Sequence, residues 1–209
     1  MLTAISYREV TKYSDLFYGQ FKLRHREFVD RQGYAVRSID SMEFDQFDTL
    51  ASVYLVYSED GYNVLGCSRL TPVSYGCMLA ELFPHTVDDK SIFMRPRVWE
   101  GTRFCIDHRL PAEQRRKVCS HISLGYAEYG LAVGIDCIIG LMPTTILRTV
   151  FERNGFQLDR LGSVQKIGDH SKIQAASIAI SPEQLAMAEI RTGLKDVLGL
   201  APIPLRHVG

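Results

Sequence analysis

Tryptophan occurs once in these 209 residues, at Trp99, and no two of the five cysteines stand in a CxxC arrangement. Scattered over 67, 77, 105, 119 and 137, an odd number of thiols without zinc-ligand spacing argues against a disulfide framework and against a structural zinc site. Net charge is missing too. The 24 basic and 24 acidic side chains cancel, so no global field draws the chain to nucleic acid or an anionic membrane, and recognition of a charged partner must be local. No apolar run approaches the roughly 20 residues of a membrane span, and MLTAISYREV contains no stretch of signal-peptide length. A soluble, cytoplasmic protein with free buried thiols is the expectation. No linker rich in Pro, Ser or Gly interrupts the chain, and a hydrophobic content of 46% is ample for a core, which points to one domain over residues 1–209.

Periodicity predicts the elements. Residues 7–30 carry Leu16, Phe17, Phe21, Leu23 and Phe28 on one side and Lys12, Asp15, Lys22 and Arg26 on the other, the pattern of a half-buried helix stopped at Gly33. ASVYLVYS and NVLGCSRLTPV flank the turn Glu59-Asp60-Gly61 and read as a hairpin. A short apolar element follows at Met78–Phe83. RVWEGTRFCID (97–107) reads as a strand with 99, 101 and 103 on one face and 100, 102 and 104 on the other, unless a bulge at Gly101 breaks the alternation. Pro111 then opens a helix, IDCIIGLM suggests a parallel strand, and a second helix spans Thr144 to Arg153, closed by Asn154-Gly155. A strand at Lys172–Ile180 and a helix opened by Ser181-Pro182-Glu183 complete the chain. This order predicts an α+β fold, a three-layer αβα sandwich with a mixed sheet.

The segment Leu23–Asp48, LRHREFVDRQGYAVRSIDSMEFDQFD, gathers charges of both signs and aromatic rings. Arg24 and Phe28 are four apart and share a helical face. After Gly33 the helical pattern stops, and a long connection within a compact domain is usually functional or disordered; Phe44 and Phe47 among its acids argue for order. Arg24, Phe28, Tyr34 and Glu43-x-Asp45-x-Phe47-Asp48, followed by Gly66-x-x-Arg69-Leu70-x-Pro72 and Trp99-Glu100-x-x-Arg103-Phe104, resemble the signature of the LuxI-type autoinducer synthases, which make acyl-homoserine lactones. Three blocks in order span residues 24–104. The family usually has tryptophan where this chain has Tyr34.

The resemblance implies a GNAT acyltransferase-like fold, with the sheet split into a V-shaped cleft for a thioester donor. Its substrates would be S-adenosylmethionine and an acyl group on acyl carrier protein or coenzyme A, with no further cofactor and no metal. An α-amine is largely protonated at neutral pH, so acyl transfer needs a base. Glu100 is the first choice, with backbone N–H groups at 102–104 facing the oxyanion. Arg103, Asp45 and Asp48 complete the catalytic candidates. Arg24 and Arg69 would pair a carboxylate, Phe28 and Tyr34 would face the sulfonium, and Asp45 or Asp48 would accept from the ammonium. Phe104, Leu141, Met142, Thr144 and Thr145 are candidates for the substrate pocket; in similar synthases a threonine in this region goes with 3-oxo acyl groups. Arg115, Arg116 and Lys117 oppose the dipole at a helix start, and by resemblance would dock an acidic carrier protein or the phosphates of coenzyme A.

Each block also has a plainer reading. Asp45, Asp48, Arg69 and Arg103 would serve equally as an ion-pair network tying a loop down, a role compatible with substrate binding. Glu43, Asp45 and Asp48 lack the twelve-residue loop of a calcium site. Thr144 and Thr145 suit an N-cap, residues 115–117 suit a solvated helix face, and His108, His121 and His170 read as surface or capping residues. The rival enzyme is a GNAT-type N-acetyltransferase using acetyl-CoA, whose phosphate loop needs glycines; the corresponding Gln114–Cys119 has none, which also favours a carrier-protein donor. A catalytically silent ligand-binding relative is the alternative from another class.

Overall fold

The computed structural model describes residues 1–167 and 171–199; His170 lies outside them. The chain opens with strand β1 (Leu2–Ser6), followed by helix α1 (Ser14–Arg24), which runs on as a π-helical stretch over His25–Arg31. Gly33, at φ +67°, makes the expected stop. The helix predicted from residue 7 therefore begins at 14, and five residues before it form an edge strand. The following connection is not irregular throughout. Strands β2 (Ser38–Ile39) and β3 (Met42–Glu43) pair about Asp40 and Ser41, both left-handed, as a tight two-residue hairpin turn requires.

The predicted hairpin is β4 (Val53–Tyr57) against β5 (Gly66–Pro72). The short helix α2 (Met78–Leu82) leads through single turns to β6 (Val98–Ile106), the long helix α3 (Ala112–Val133) and β7 (Cys137–Pro143). Next come α4 (Thr144–Ile146), continued by helical turns to Asn154, then β8 (Leu158–Arg160), β9 (Gln165–Ile167), β10 (Ser171–Ala179) and α5 (Pro182–Thr192). Among the described residues the main sheet runs β1-β4-β5-β6-β7-β10-β8, with β9 also on β10. Every pairing is antiparallel except β6 with β7, and a parallel pair needs a crossover, which α3 supplies.

Alternation sorts the core into two layers. Leu55, Tyr57, Leu70, Ile138 and Met142 face α3 and α5, together with Val118, Ile122 and Tyr126. Tyr54, Val56 and Cys67 face α1 with Phe17 and Phe21, and Ile139 and Ala175 meet Leu79 and Ile92 on that same side. The result is the expected three-layer arrangement, helices on both faces of a mixed sheet. No helix among the described residues is long and apolar enough to cross a membrane.

The sheet is split, as the resemblance implied, and the split falls between β6 and β7. Strand β6 pairs with β7 only at Val98–Cys137, Trp99–Ile138 and Glu100–Ile139. Beyond that seam β6 stays with β5 as far as Ile106, while β7 stays with β10 as far as Pro143. Glycines permit the closest approach: a Cβ on Gly140 would lie 2.9 Å from the carbonyl oxygen of Gly101.

Candidate active site

A bulge decides which side chains meet. Cys67 is opposite Cys105 and Arg69 opposite Thr102, so Arg103 and Phe104 together face Ser68, and the extra residue re-aims all that follow. The bulge sits at Arg103, at φ +53°, and not at Gly101. A left-handed conformation at a non-glycine residue costs about 1–2 kcal/mol, and here the side chain is anchored by ion pairs with Glu43 and Asp45. Glu100, Thr102 and Arg103 consequently all project to the α1 face, whereas Trp99 and Phe104 turn towards Tyr129, Tyr126 and Phe151 of the other layer. Strict alternation would have put Arg103 with Trp99 and Phe104 with Glu100.

On the α1 face, three arginines and three acids interlock. Arg24 is 0% exposed. Its Nε donates to Glu43 at 2.6 Å, and its terminal nitrogens grip both oxygens of Asp48 at 2.8 Å. Arg69 donates from Nε to the Thr102 hydroxyl at 2.9 Å, and pairs with Asp45 at 2.6 Å and Asp48 at 2.9 Å. Arg103 reaches Glu43 at 3.0 Å and Asp45 at 2.5 Å. The acidic loop also bonds to itself, Asp45 N–H to Asp48 and Phe47 N–H to Asp45, each at 2.8 Å. Burial disfavours the charge on Asp48, but the hydrogen bonds from Arg24 and the charge of Arg69 outweigh it and hold this carboxyl well below its ordinary range. Burial likewise opposes the charge on Arg24 and is outweighed by Asp48 and Glu43.

The outer edge of the network is open. Phe28 stacks on Tyr34 at 6.0 Å, the two planes within 9°, Arg103 lies 5.7 Å from the Phe28 ring, and Tyr34 is 52% exposed. This corner presents a guanidinium, the carboxylate of Asp45 and two π faces in one place, an arrangement that suits a zwitterion bearing a further positive charge.

Glu100 is 1% exposed and accepts the backbone N–H groups of Met78 at 2.8 Å and Leu79 at 2.7 Å, at the start of α2. Burial raises its pKa above the ordinary glutamate value, and the two backbone donors only partly offset this. A carboxyl so tuned takes a proton more readily than a surface glutamate.

Across the sheet, beneath the split, lies a narrow apolar pocket walled by Gly101, Tyr126, Met142, Leu147, Phe151 and Ala176 among others. Met142 lines it too. Leu141 packs instead on the opposite face, beside the Ile139 and Ala175 cluster, because neighbours on a strand point to opposite sides. Thr144 and Thr145 are not among the lining residues. Neither caps a helix: the N-cap position is Pro143, without a side-chain bond, because α4 starts one residue earlier than an N-cap threonine requires.

Of the basic cluster, Lys117 is taken up by Glu59 at 2.9 Å, while Arg115 and Arg116 make no ion pair among the described residues. They begin α3, away from the ion-paired face. His108 bonds Glu27 at 2.8 Å, and His121 bonds the Lys117 carbonyl at 2.8 Å. Glu27, Asp107 and His108 are close enough to share an ion, but their carboxylates are engaged by Arg31, Arg26 and Arg109.

Four contributors are absent from the sequence reading. Gln20, one turn before Arg24, accepts from its guanidinium at 3.4 Å; Tyr54 donates to Asp48 at 2.9 Å; Ser68 and Tyr126 join hydroxyls at 2.6 Å. Only Gln20 was approachable, through its i, i+4 spacing to Arg24. Glu43 stood in the quoted motif without a role and proves to bridge two arginines.

The family described as autoinducer synthase matches residues 6–187 of this chain. The isovaleryl-homoserine lactone synthase of Bradyrhizobium diazoefficiens is 29% identical over 201 residues, covering 95% of this chain and 88% of that protein. An acyl-homoserine-lactone synthase of Acinetobacter nosocomialis is 28% identical over 166 residues, covering 76% and 90%. Among solved structures, BjaI, a CoA-dependent acyl-homoserine lactone synthase bound to MTA, superposes with a TM-score of 0.80 at 26% identity, over 95% of this chain and 92% of that one. The same protein has been solved with SAM and isopentyl-CoA.

Proposed function

The chain belongs to the autoinducer synthase family, and from that premise we propose that it joins an acyl group to S-adenosylmethionine and closes the product to an acyl-homoserine lactone, a quorum-sensing signal. One observation carries the reading: an ion-paired, aromatic-edged corner lies on one face of the sheet, and on the other an apolar pocket is lined by Gly101 of β6 and Gly140 of β7, the residues just past the point where the two strands part. The charged substrate occupies the first, with Phe28 and Tyr34 against the sulfonium, Arg103 on the carboxylate and Asp45 on the amine. The acyl chain occupies the second, and the thioester carbonyl lies in the split between them.

Glu100 takes the proton from the amine through an intervening water, since both its oxygens already accept backbone N–H groups and it is nearly sealed from solvent. The freed nitrogen attacks the thioester carbon, backbone N–H groups at the 103–104 bulge face the oxyanion, and the C–S bond breaks, the thiolate taking the nitrogen's second proton while the first passes from Glu100 to water. In the second step the carboxylate oxygen attacks the carbon next to the sulfonium. That C–S bond breaks and methylthioadenosine leaves, an intramolecular displacement for which the protein has chiefly to keep the chain curled. Arg24 and Arg69 touch none of these atoms. They are positioning residues, whose guanidiniums fix the acids that do.

The donor carries its acyl group on coenzyme A or acyl carrier protein, and Arg115 with Arg116, the two cations of that cluster outside any ion pair among the described residues, dock it. The enzyme works in the cytoplasm, where both substrates are made. The rival N-acetyltransferase is not favoured, because Gln114–Cys119 lies within α3 without the glycines that let a backbone close around pyrophosphate. Incubating the purified chain with S-adenosylmethionine and acyl thioesters, and identifying products by mass spectrometry, tests the assignment. Acyl-homoserine lactone with stoichiometric methylthioadenosine is the expected result; acylated peptide or amine without methylthioadenosine would sink it.

A further inference from the structure

Resting on the synthase reading, the geometry points to a short aliphatic acyl group, without a keto oxygen on its third carbon and about four to five carbons long, with Tyr126 as the residue that sets the limit. The pocket beneath the split has a cavity volume of about 20 Å³. One water-sized sphere takes about 10–15 Å³, so there is room for one or two methyl-sized groups beyond the carbons that bridge the split.

Tyr126 forms the floor and is fixed there. It is 1% exposed, its ring centre lies 5.5 Å from that of Phe151, and its hydroxyl bonds Ser68 at 2.6 Å. Ser68 in turn donates to the carbonyl of Thr102 at 3.0 Å. Because a serine hydroxyl has one proton, Tyr126 must be the donor in its bond to Ser68. A longer chain would have to displace a buried ring and break the hydrogen bond that links α3 to Ser68 of β5. The ring also closes the route towards the seam: a Cβ on Gly101 would fall 2.7 Å from the Tyr126 oxygen.

The same count of protons disfavours an oxo group on the third carbon, since a ketone oxygen can only accept. The other side chains of the wall, such as Met142, Leu147, Phe151, Ala176 and Ile178, are hydrocarbon or thioether, and the Tyr126 proton is already committed. Thr144 and Thr145, the side chains that sequence offered for this purpose, are not in the lining. A buried oxygen there would go unpaired, which a pocket penalises more heavily than a missing methylene.

The test compares kcat/KM for butyryl, isovaleryl, hexanoyl, octanoyl and 3-oxohexanoyl thioesters, each on coenzyme A and on acyl carrier protein, reading both methylthioadenosine and lactone. Butyryl and isovaleryl should lead, with octanoyl about 100-fold or more lower, since each misfitting methylene is worth about 10-fold or more. Tyr126→Leu should narrow the gap between octanoyl and isovaleryl by about 10-fold or more, and Phe151→Leu probes the adjoining wall should the first variant fail to fold. Wild-type protein turning over octanoyl or 3-oxohexanoyl as well as isovaleryl would overturn the inference while leaving the synthase reading intact. If no donor yields methylthioadenosine, the synthase reading itself falls.

Discussion

Replacing Arg24 by methionine isolates what the buried network contributes. Arg24 is 0% exposed and holds Glu43 by one bond of 2.6 Å and Asp48 by two of 2.8 Å. Methionine fills much of the same volume but leaves two carboxylates without their main counter-charge, one of them wholly buried. Glu43 keeps Arg103, and Asp48 keeps Arg69 and the Tyr54 hydroxyl, so neither is fully orphaned. Breaking a buried pair from one side costs about 3–5 kcal/mol, and in a domain of this size each kcal/mol lowers Tm by about 2–4 °C. A loss of about 6–20 °C is therefore expected by calorimetry at pH 7. The pH dependence follows from the sign of the Asp48 shift. A carboxyl whose folded pKa lies below its unfolded value stabilises the fold above the unfolded value and loses that contribution as pH falls through the folded one. The advantage of wild type over Arg24→Met should accordingly be flat above pH 5 and shrink below about pH 4, where the unfolded Asp48 begins to take up a proton. Arg24→Lys should fall between the two, keeping the charge without the fork. A methionine variant melting within about 2 °C of wild type, or a gap that widens in acid, would refute the account of Arg24 as the clamp on this loop.

Further outcomes can be measured in parallel. Glu100→Gln should lower kcat about 10²–10⁴-fold while S-adenosylmethionine affinity, followed by calorimetry, stays within a few-fold; in wild type the acid limb of kcat should fall above pH 4.5, the side to which burial moves this carboxyl. Arg103→Gly and Arg103→Ala both forfeit the bonds to Glu43 and Asp45, but at φ +53° glycine should be the more stable by about 1 kcal/mol in urea melts; equal stability would mean that the left-handed bulge carries no strain. Arg115→Ala with Arg116→Ala should raise the donor KM and flatten its dependence on salt, leaving the KM of S-adenosylmethionine alone; an unchanged donor KM would assign both to bare surface.

The long-range order of the fold was legible because its elements are long or strongly patterned. The β4–β5 hairpin, the β6–α3–β7 crossover and the closing strand and helix stand where alternation and helical spacing put them. Strand β1 was missed because LTAIS is five residues long and runs straight into the helical pattern of 7–30. The β2–β3 hairpin was missed because Asp40-Ser41 takes the left-handed turn that usually announces itself with glycine. Within the site, the residue types were readable but the pairings were not. Which arginine meets which acid depends on the bulge, and a bulge at an arginine has no signature in composition or periodicity. The plainer reading of Asp45, Asp48, Arg69 and Arg103 as ion pairs fits the geometry, and it is compatible with the proposed substrate corner because Arg103 and Asp45 retain some exposure. Leu141 shows a different limit, since proximity in sequence says nothing about which face of a strand a neighbour occupies, and Thr144 and Thr145 lie past the strand, in α4.

The seam between β6 and β7 is three residue pairs long, and its brevity has a mechanical consequence. The two wings of the sheet, β1 to β6 and β7 to β8, are stitched together at one end only, like covers bound at a single corner of the spine. What keeps them from swinging apart is α3, which touches β1, β4, β5, β6 and β7 in turn and so acts as the backing strip of the binding. Loosening that helix from either wing would open the book without tearing a page, and amide exchange should report it first at Gly101 and Gly140, where the stitching ends.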